Sequence, residues 1–212
     1  MPNRGDRGGA QTRARIAAIA TELFLERGFD DVTVADVAAA AGVSKVTVFS
    51  HFDRKEDLLF DRLPDAVDIV RTAIRDRADA VDAVEAIRQA ALALAEQRHP
   101  LSGLSEGEEP FMRTLLASPA LISRLRAFEH EIEAELATEL DADVAFTGDS
   151  ALTAALLVAA YRTVAVESVR RRLDGDNLAD IAATHYQRLS KAFDVVAQGL
   201  SAEYPRQEPG SS

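Results

Sequence analysis

Apolar residues return at helical spacing along almost the whole chain. From Thr12 they fall at Ile16, Ile19, Ala20, Leu23 and Phe24, one face of a helix. Gly28, with Arg27 in the turn before it, supplies a stop. A second helix opens at Thr33, which stands at capping-box spacing from Asp36, and turns Val34, Val37, Ala38 and Ala41 inward before Gly42. Ser44 caps a third helix two residues later, with Val48 and Phe52 inward and Val43 sealing the turn. Asp53 is expected to cap a fourth, with Glu56 at its third position and Leu58 and Leu59 following.

Beyond Leu63 the period stays helical, and no strand alternation is found. The expected spans are 65–77, 80–98, 109–117, 119–140, 149–173 and 177–199. They are separated by Pro64, the 99–107 loop, Ser118–Pro119, residues 146–148 and Asp174–Gly175. The fold class is therefore all-α, with an amino-terminal three-helix helix-turn-helix domain followed by a larger helical domain. The expected divisions are a flexible basic arm over 1–10, the helix-turn-helix domain over 11–57, a second domain over 58–200 and a disordered tail over 201–212.

Composition narrows the function classes. The chain has no Cys, which removes disulfides, Cys-ligated zinc and thiol catalysis. The longest apolar run, residues 151–160, is shorter than the ~20 residues of a membrane helix, and no apolar segment follows the basic amino end, so a cytoplasmic chain with no membrane partner is expected. The net charge of -11 argues against nucleic acid until it is divided along the chain. Residues 1–62 carry 9 Lys and Arg against 10 Asp and Glu, so the acid sits almost wholly in the rest. No Gly-rich phosphate loop, GxSxG or HExxH is present, so an enzyme is the remote alternative. Glu129, His130, Glu131 and Glu133 have metal-like spacing but read as a solvated face with Arg126 as ion-pair partner; no metal or cofactor is expected.

The second and third helices, joined through Gly42, have the spacing of a DNA-binding helix-turn-helix over residues 33–52. A recognition helix buries one face and offers the other to the major groove. Opposite Val48 and Phe52 lie Lys45, Val46, Thr47, Ser50 and His51, short or cationic groups able to reach base edges and phosphates. Thr47 or Val46 would meet a thymine methyl, and Lys45 a guanine or a phosphate. Thr33 and Ser44 stand at helix starts, where free N–H groups favour phosphate. Arg4, Arg7, Arg13 and Arg15 make the amino end basic, either as further DNA contacts or as a solvated arm.

Several features in register, TRARIAAIATELFLERGFDDV and then TVADVAAAAGVSKVTVFSHFDRKEDLL, resemble the TetR family of bacterial transcriptional regulators over about 50 residues. The resemblance implies a TetR-like fold and a homodimer formed through the helices near 149–173 and 177–199. It implies a double-stranded DNA operator of pseudo-palindromic form and a small-molecule effector, most simply with repression relieved by a mostly apolar ligand. A transcriptional activator and a ligand-independent DNA-binding module are the alternatives. It also implies that Lys55, at the start of the fourth helix, clamps a backbone phosphate. Phe49 stands where the family commonly has tyrosine and lacks the hydroxyl that would contact phosphate. Candidates for lining an effector pocket are Phe60, His99, Phe111, Met112, Arg113, Phe128, Tyr161 and Glu167.

Overall fold

The computed structural model describes residues 4–203. Among the described residues there is no strand, and the α-helices are α1 (Arg4–Arg27), α2 (Val34–Ala40), α3 (Lys45–Phe49), α4 (Leu63–Arg75), α5 (Ala83–Glu96), α6 (Glu109–Ala117), α7 (Pro119–Ala142), α8 (Ser150–Leu173) and α9 (Leu178–Glu203). Short 3-10 turns occupy Glu56–Leu58 and Pro100–Ser102. The chain divides into two compact units, one of residues 1–63 with 109–126, the other of 64–108 with 127–212. Residues 109–126, which the sequence reading put in the larger domain, thus group with the amino-terminal unit.

The first unit is built on α1. Ile16, Ala20 and Phe24 are fully buried and Ala17 and Leu23 nearly so, the stripe that the periodicity predicts, with Ile19 at its edge. Gly28 ends α1 at φ +89°, a left-handed conformation that disfavours a side chain, while its N–H reaches the Phe24 carbonyl at 2.9 Å. Phe29 folds back on Phe24 with ring centroids 4.9 Å apart. Two polar contacts fasten residues 109–126 within this unit: Ser118 Oγ donates to Asp30 at 3.0 Å, and Arg124 Nε to Asp57 at 2.7 Å.

Two expectations in this unit are corrected. Residues 4–10, expected as a flexible arm, continue α1, because extending a formed helix adds one hydrogen bond per residue without a new nucleus. The expected fourth helix at Asp53 is absent. Leu58, Leu59 and Phe60 are buried in succession, which no single helix face can do, and the chain makes a 3-10 turn there with no side-chain cap. Pro64, expected to break the pattern, lies in the first turn of α4, where a missing N–H costs nothing.

The second unit packs α8 against α9 along their lengths, with α5 on α9. Ile74, Leu136, Leu140, Leu157, Leu189 and Phe193 form the centre of its core. A ladder of charge crosses from α4 and the residues just after it to α7 and the residue just after it. Arg71 Nε and Nη2 donate to Glu135 at 2.9 and 2.6 Å, Arg75 Nε and Nη2 to Glu139 at 2.7 and 2.5 Å, and Arg77 Nη2 to Asp143 at 2.6 Å. The Glu139 side chain is only 4% exposed.

By length and composition alone α8 is long and apolar enough to cross a membrane, although its longest run of apolar residues is short; a core helix meets the same measure. Its first charged residue is Arg162, and only Glu167 follows before the arginines at 170–172, so the low polarity is spread over the helix rather than held in one run. Thr153, Ala154, Leu157, Val158, Val164 and Ser168 are buried within the unit. The carboxyl end of α9 runs to Glu203, so residues 201–203, expected in a disordered tail, are helical; the rest of that expected tail and residues 1–3 lie outside the described residues.

His185 of α9 is buried, with Nδ1 2.9 Å from Ser168 Oγ and no partner for Nε2. Burial, helped by Arg188, lowers its pKa from 6.5 to about 4. Below pH 6.5 the unfolded chain takes up a proton that the folded chain refuses. His185 therefore favours folding fully above pH 6.5, and this contribution is lost as pH falls toward 4. Urea unfolding at pH 7.5 and pH 5 is expected to show a smaller acid loss in His185→Leu than in the parent. An equal loss in both would remove His185 from the acid limb.

Candidate nucleic-acid interface

The helix-turn-helix is closed by its caps. Thr33 Oγ1 accepts from the Asp36 N–H at 3.2 Å, and the Thr33 N–H donates to the Asp36 carboxylate at 2.8 Å. The Thr33 hydroxyl donates to the same carboxylate at 2.6 Å. These hydrogen bonds, aided by Arg27 and Lys45, hold the Asp36 carboxyl below its usual range. Gly42 turns the chain at φ +64°. Ser44 then caps α3, accepting from the Thr47 N–H at 3.0 Å. At each helix start, where free N–H groups were expected to favour phosphate, the cap hydroxyl thus takes one of those N–H groups.

Val48 and Phe52 are buried, as the pattern requires, and Val43 is half-buried. The opposite face is open: Val46 is 79% exposed and Phe49 52%, with Lys45 and Ser50 exposed beside them. Thr47 and His51 are half-buried at the margins. Thr47 Oγ1 lies 2.9 Å from Ser44 Oγ, and Ser50 Oγ donates to the Thr47 carbonyl at 2.8 Å. Arg13, expected near the amino arm, instead holds the far end of this segment. Its guanidinium donates to the His51 carbonyl and lies 4.1 Å from the centroid of the Phe52 ring. Nothing in a list of cations along the sequence separates Arg13 from Arg15, which is exposed.

Lys55 opens a 3-10 turn and not an α-helix. Its ammonium donates to the Phe29 carbonyl at 2.5 Å and sits 4.1 Å over the Phe29 ring and 5.7 Å from that of Phe24. In this conformation it pins the turn after α3 to the end of α1.

The eight residues expected around an effector do not gather in one unit. Phe60, Phe111, Met112 and Arg113 belong to the first: Phe60 meets Phe111 edge to face at 6.3 Å, Met112 is buried and Arg113 is exposed. Spacing along a sequence cannot show that residues 109–126 leave the larger unit. His99, Phe128, Tyr161 and Glu167 belong to the second. His99 Nδ1 accepts from the Leu101 N–H at 3.2 Å, and the Tyr161 hydroxyl donates to the Leu101 carbonyl at 2.9 Å. Burial pushes the Tyr161 hydroxyl up to about 12. Phe128 is buried, and Glu167 pairs with Arg170 at 2.8 Å, which holds its carboxyl below the usual range.

Sequence reading missed Arg172, which is buried and donates to the Gly103 and Ser105 carbonyls at 3.1 and 2.6 Å. Its signal was the four-residue stripe Val164, Ser168, Arg172, hidden inside the run Arg170–Arg171–Arg172. In the metal-like cluster, Glu129 pairs with Arg162 at 3.2 Å rather than with Arg126, and His130 stands 3.9 Å from Glu133. Among the described residues no group of three or more His, Asp or Glu is placed to hold a metal.

Residues 16–61 match the family model described as "Bacterial regulatory proteins, tetR family". The HTH-type transcriptional repressor KstR2 of Rhodococcus jostii is 40% identical over 52 residues, 24% of this chain and 26% of that protein. The HTH-type transcriptional regulator TtgR of Pseudomonas putida is 34% identical over 82 residues, 37% of this chain and 39% of that protein. The matches thus span well under half of these curated relatives. Among solved structures, the Thermus thermophilus repressor FadR, in complex with lauroyl-CoA, aligns over 94% of this chain and 99% of its own at 24% identity and TM-score 0.57. NalD, the secondary repressor of a multidrug efflux pump in Pseudomonas aeruginosa, aligns over 87% of this chain and 97% of its own at 16% identity and TM-score 0.56. At these identities the likeness is one of fold.

Proposed function

We propose that this chain, whose residues 16–61 match the tetR family of bacterial regulatory proteins, is a ligand-responsive repressor that binds a pseudo-palindromic DNA operator as a homodimer. The observation that carries this reading is α3: capped, buried on Val48 and Phe52, and open on the face a major groove would meet. Lys45, Val46, Thr47, Phe49, Ser50 and His51 contribute that face or its margins. The protein acts in the cytoplasm, and DNA is its macromolecular partner.

Dimerisation is proposed through α8 and α9. Leu152, Leu156 and Val166 on α8, and Tyr186 and Val195 on α9, are large apolar side chains left exposed. A second copy would cover them in a four-helix interface. The effector is proposed to be a mostly apolar small molecule held in the second unit, near Phe128, Tyr161 and the 99–105 loop. Its binding lowers operator affinity through a conformation it prefers.

Selection of random duplexes with the full chain tests the reading. The expected product is an inverted repeat with half-site centres roughly 34–36 Å or a multiple apart, bound by a dimer in sedimentation. No enriched sequence, or binding by a monomer, would overturn it. Lys55→Met separates two roles. The hydrogen bond to Phe29 predicts a stability loss of about 1–2 kcal/mol with an unchanged slope of log affinity against log salt. A slope reduced by about 0.9 would instead restore the phosphate clamp that the family resemblance implies.

A further inference from the structure

We propose that α3 reads its operator through the C5 methyl groups of thymine, with Val46 and Phe49 as the specificity-determining residues. The inference rests on the regulator reading above and names the chemistry of its DNA contact. From Val43 to Phe52 there is no Arg, Asn, Gln, Asp or Glu, the side chains that pair two-pronged with purines or accept from cytosine. The hydroxyls of Ser44, Thr47 and Ser50 are already bonded to one another or to the helix backbone. Lys45 and, at the margin, the half-buried His51 are the polar side chains left on the face, and Lys45 as a point charge suits a phosphate as readily as a base.

What the helix presents most openly is apolar. Val46 and Phe49 stand three residues apart, on one side of α3, at 79% and 52% exposure. The thymine methyl is the apolar feature that a standard base pair shows in the major groove. Lys45 beside the pair supplies the attraction that brings an anionic duplex, rather than an apolar protein surface, to this face. Phe49 thereby gains a role that does not need the missing phenolic hydroxyl.

The test uses the full chain and the duplex that selection yields. Each thymine of a half-site is replaced in turn by deoxyuridine, which removes the methyl and nothing else. At the contacted positions affinity is expected to fall about fourfold per methyl, the worth of one buried methyl group. Val46→Ala and Phe49→Ala, at exposed positions where folding is not at risk, are each expected to lose the thymine-over-uracil preference at a different position. Equal affinity for the uracil-substituted and parent duplexes would overturn the proposal, as would a preference retained in both variants. If selection enriches no sequence at all, it is the regulator reading that fails, and this inference fails with it.

Discussion

Phe24→Ala is expected to destabilise the first unit by about 3–5 kcal/mol, enough to threaten its folding. The side chain is wholly buried on the inner stripe of α1, against Phe29 at 4.9 Å and within 5.7 Å of the Lys55 ammonium. Truncation therefore opens a cavity and also loosens the platform beneath the turn that follows α3. Phe24→Leu keeps most of the volume and is expected to cost about 1.5 kcal/mol or less. Chemical unfolding followed by circular dichroism measures both. A loss below about 1 kcal/mol in the alanine variant would mean that α1 is not the foundation its burial indicates. Because α2 packs on this helix and α3 packs on α2, DNA binding should fall with its stability.

The second large effect is expected from removing Arg71 and Arg75 together. Glu139 is nearly inaccessible to water and takes two hydrogen bonds from Arg75, with Arg71 Nε a further 3.7 Å away. Deleting both guanidiniums leaves a buried carboxylate with no partner from α4, at a cost of about 3–5 kcal/mol. Adding Glu139→Leu to the double alanine variant removes the stranded charge and should recover most of the loss. Arg75→Ala alone should be milder, since its side chain is 60% exposed and Arg71 stays close to the carboxylate. If the triple variant is no more stable than the double, the damage lies in lost packing of the arginine stems and not in the buried charge.

The local elements were legible because local physics decides them. The capping box at Thr33 and Asp36, the cap at Ser44 and the inward Val48 and Phe52 each follow from spacing that the chain cannot escape. The turn after α3 was misread because a cap at Asp53 is only a preference. Three successive apolar residues, Leu58 to Phe60, needed burial on every side and overrode it. The contact made by Lys55 was hidden as well: sequence shows a cation but not the carbonyl it finds 26 residues away. The α4–α7 ladder was half visible. Arg71 and Arg75, and Glu135, Glu139 and Asp143, each recur every four residues, yet nothing in the sequence says that these two stripes face each other. Membership of a pocket depends on tertiary placement alone, and the two units divide the candidate effector residues equally, a division that spacing along the sequence does not show.

The open face of α3 also sets how binding should respond to heat. A contact made by valine and phenylalanine removes apolar surface from water, and its signature is a negative heat-capacity change on association. Such a contact loses strength on cooling, whereas attraction between charges responds chiefly to ions. Held by few cations and an apolar wedge, the operator complex would be comparatively indifferent to the ionic strength of its surroundings and sensitive to their temperature.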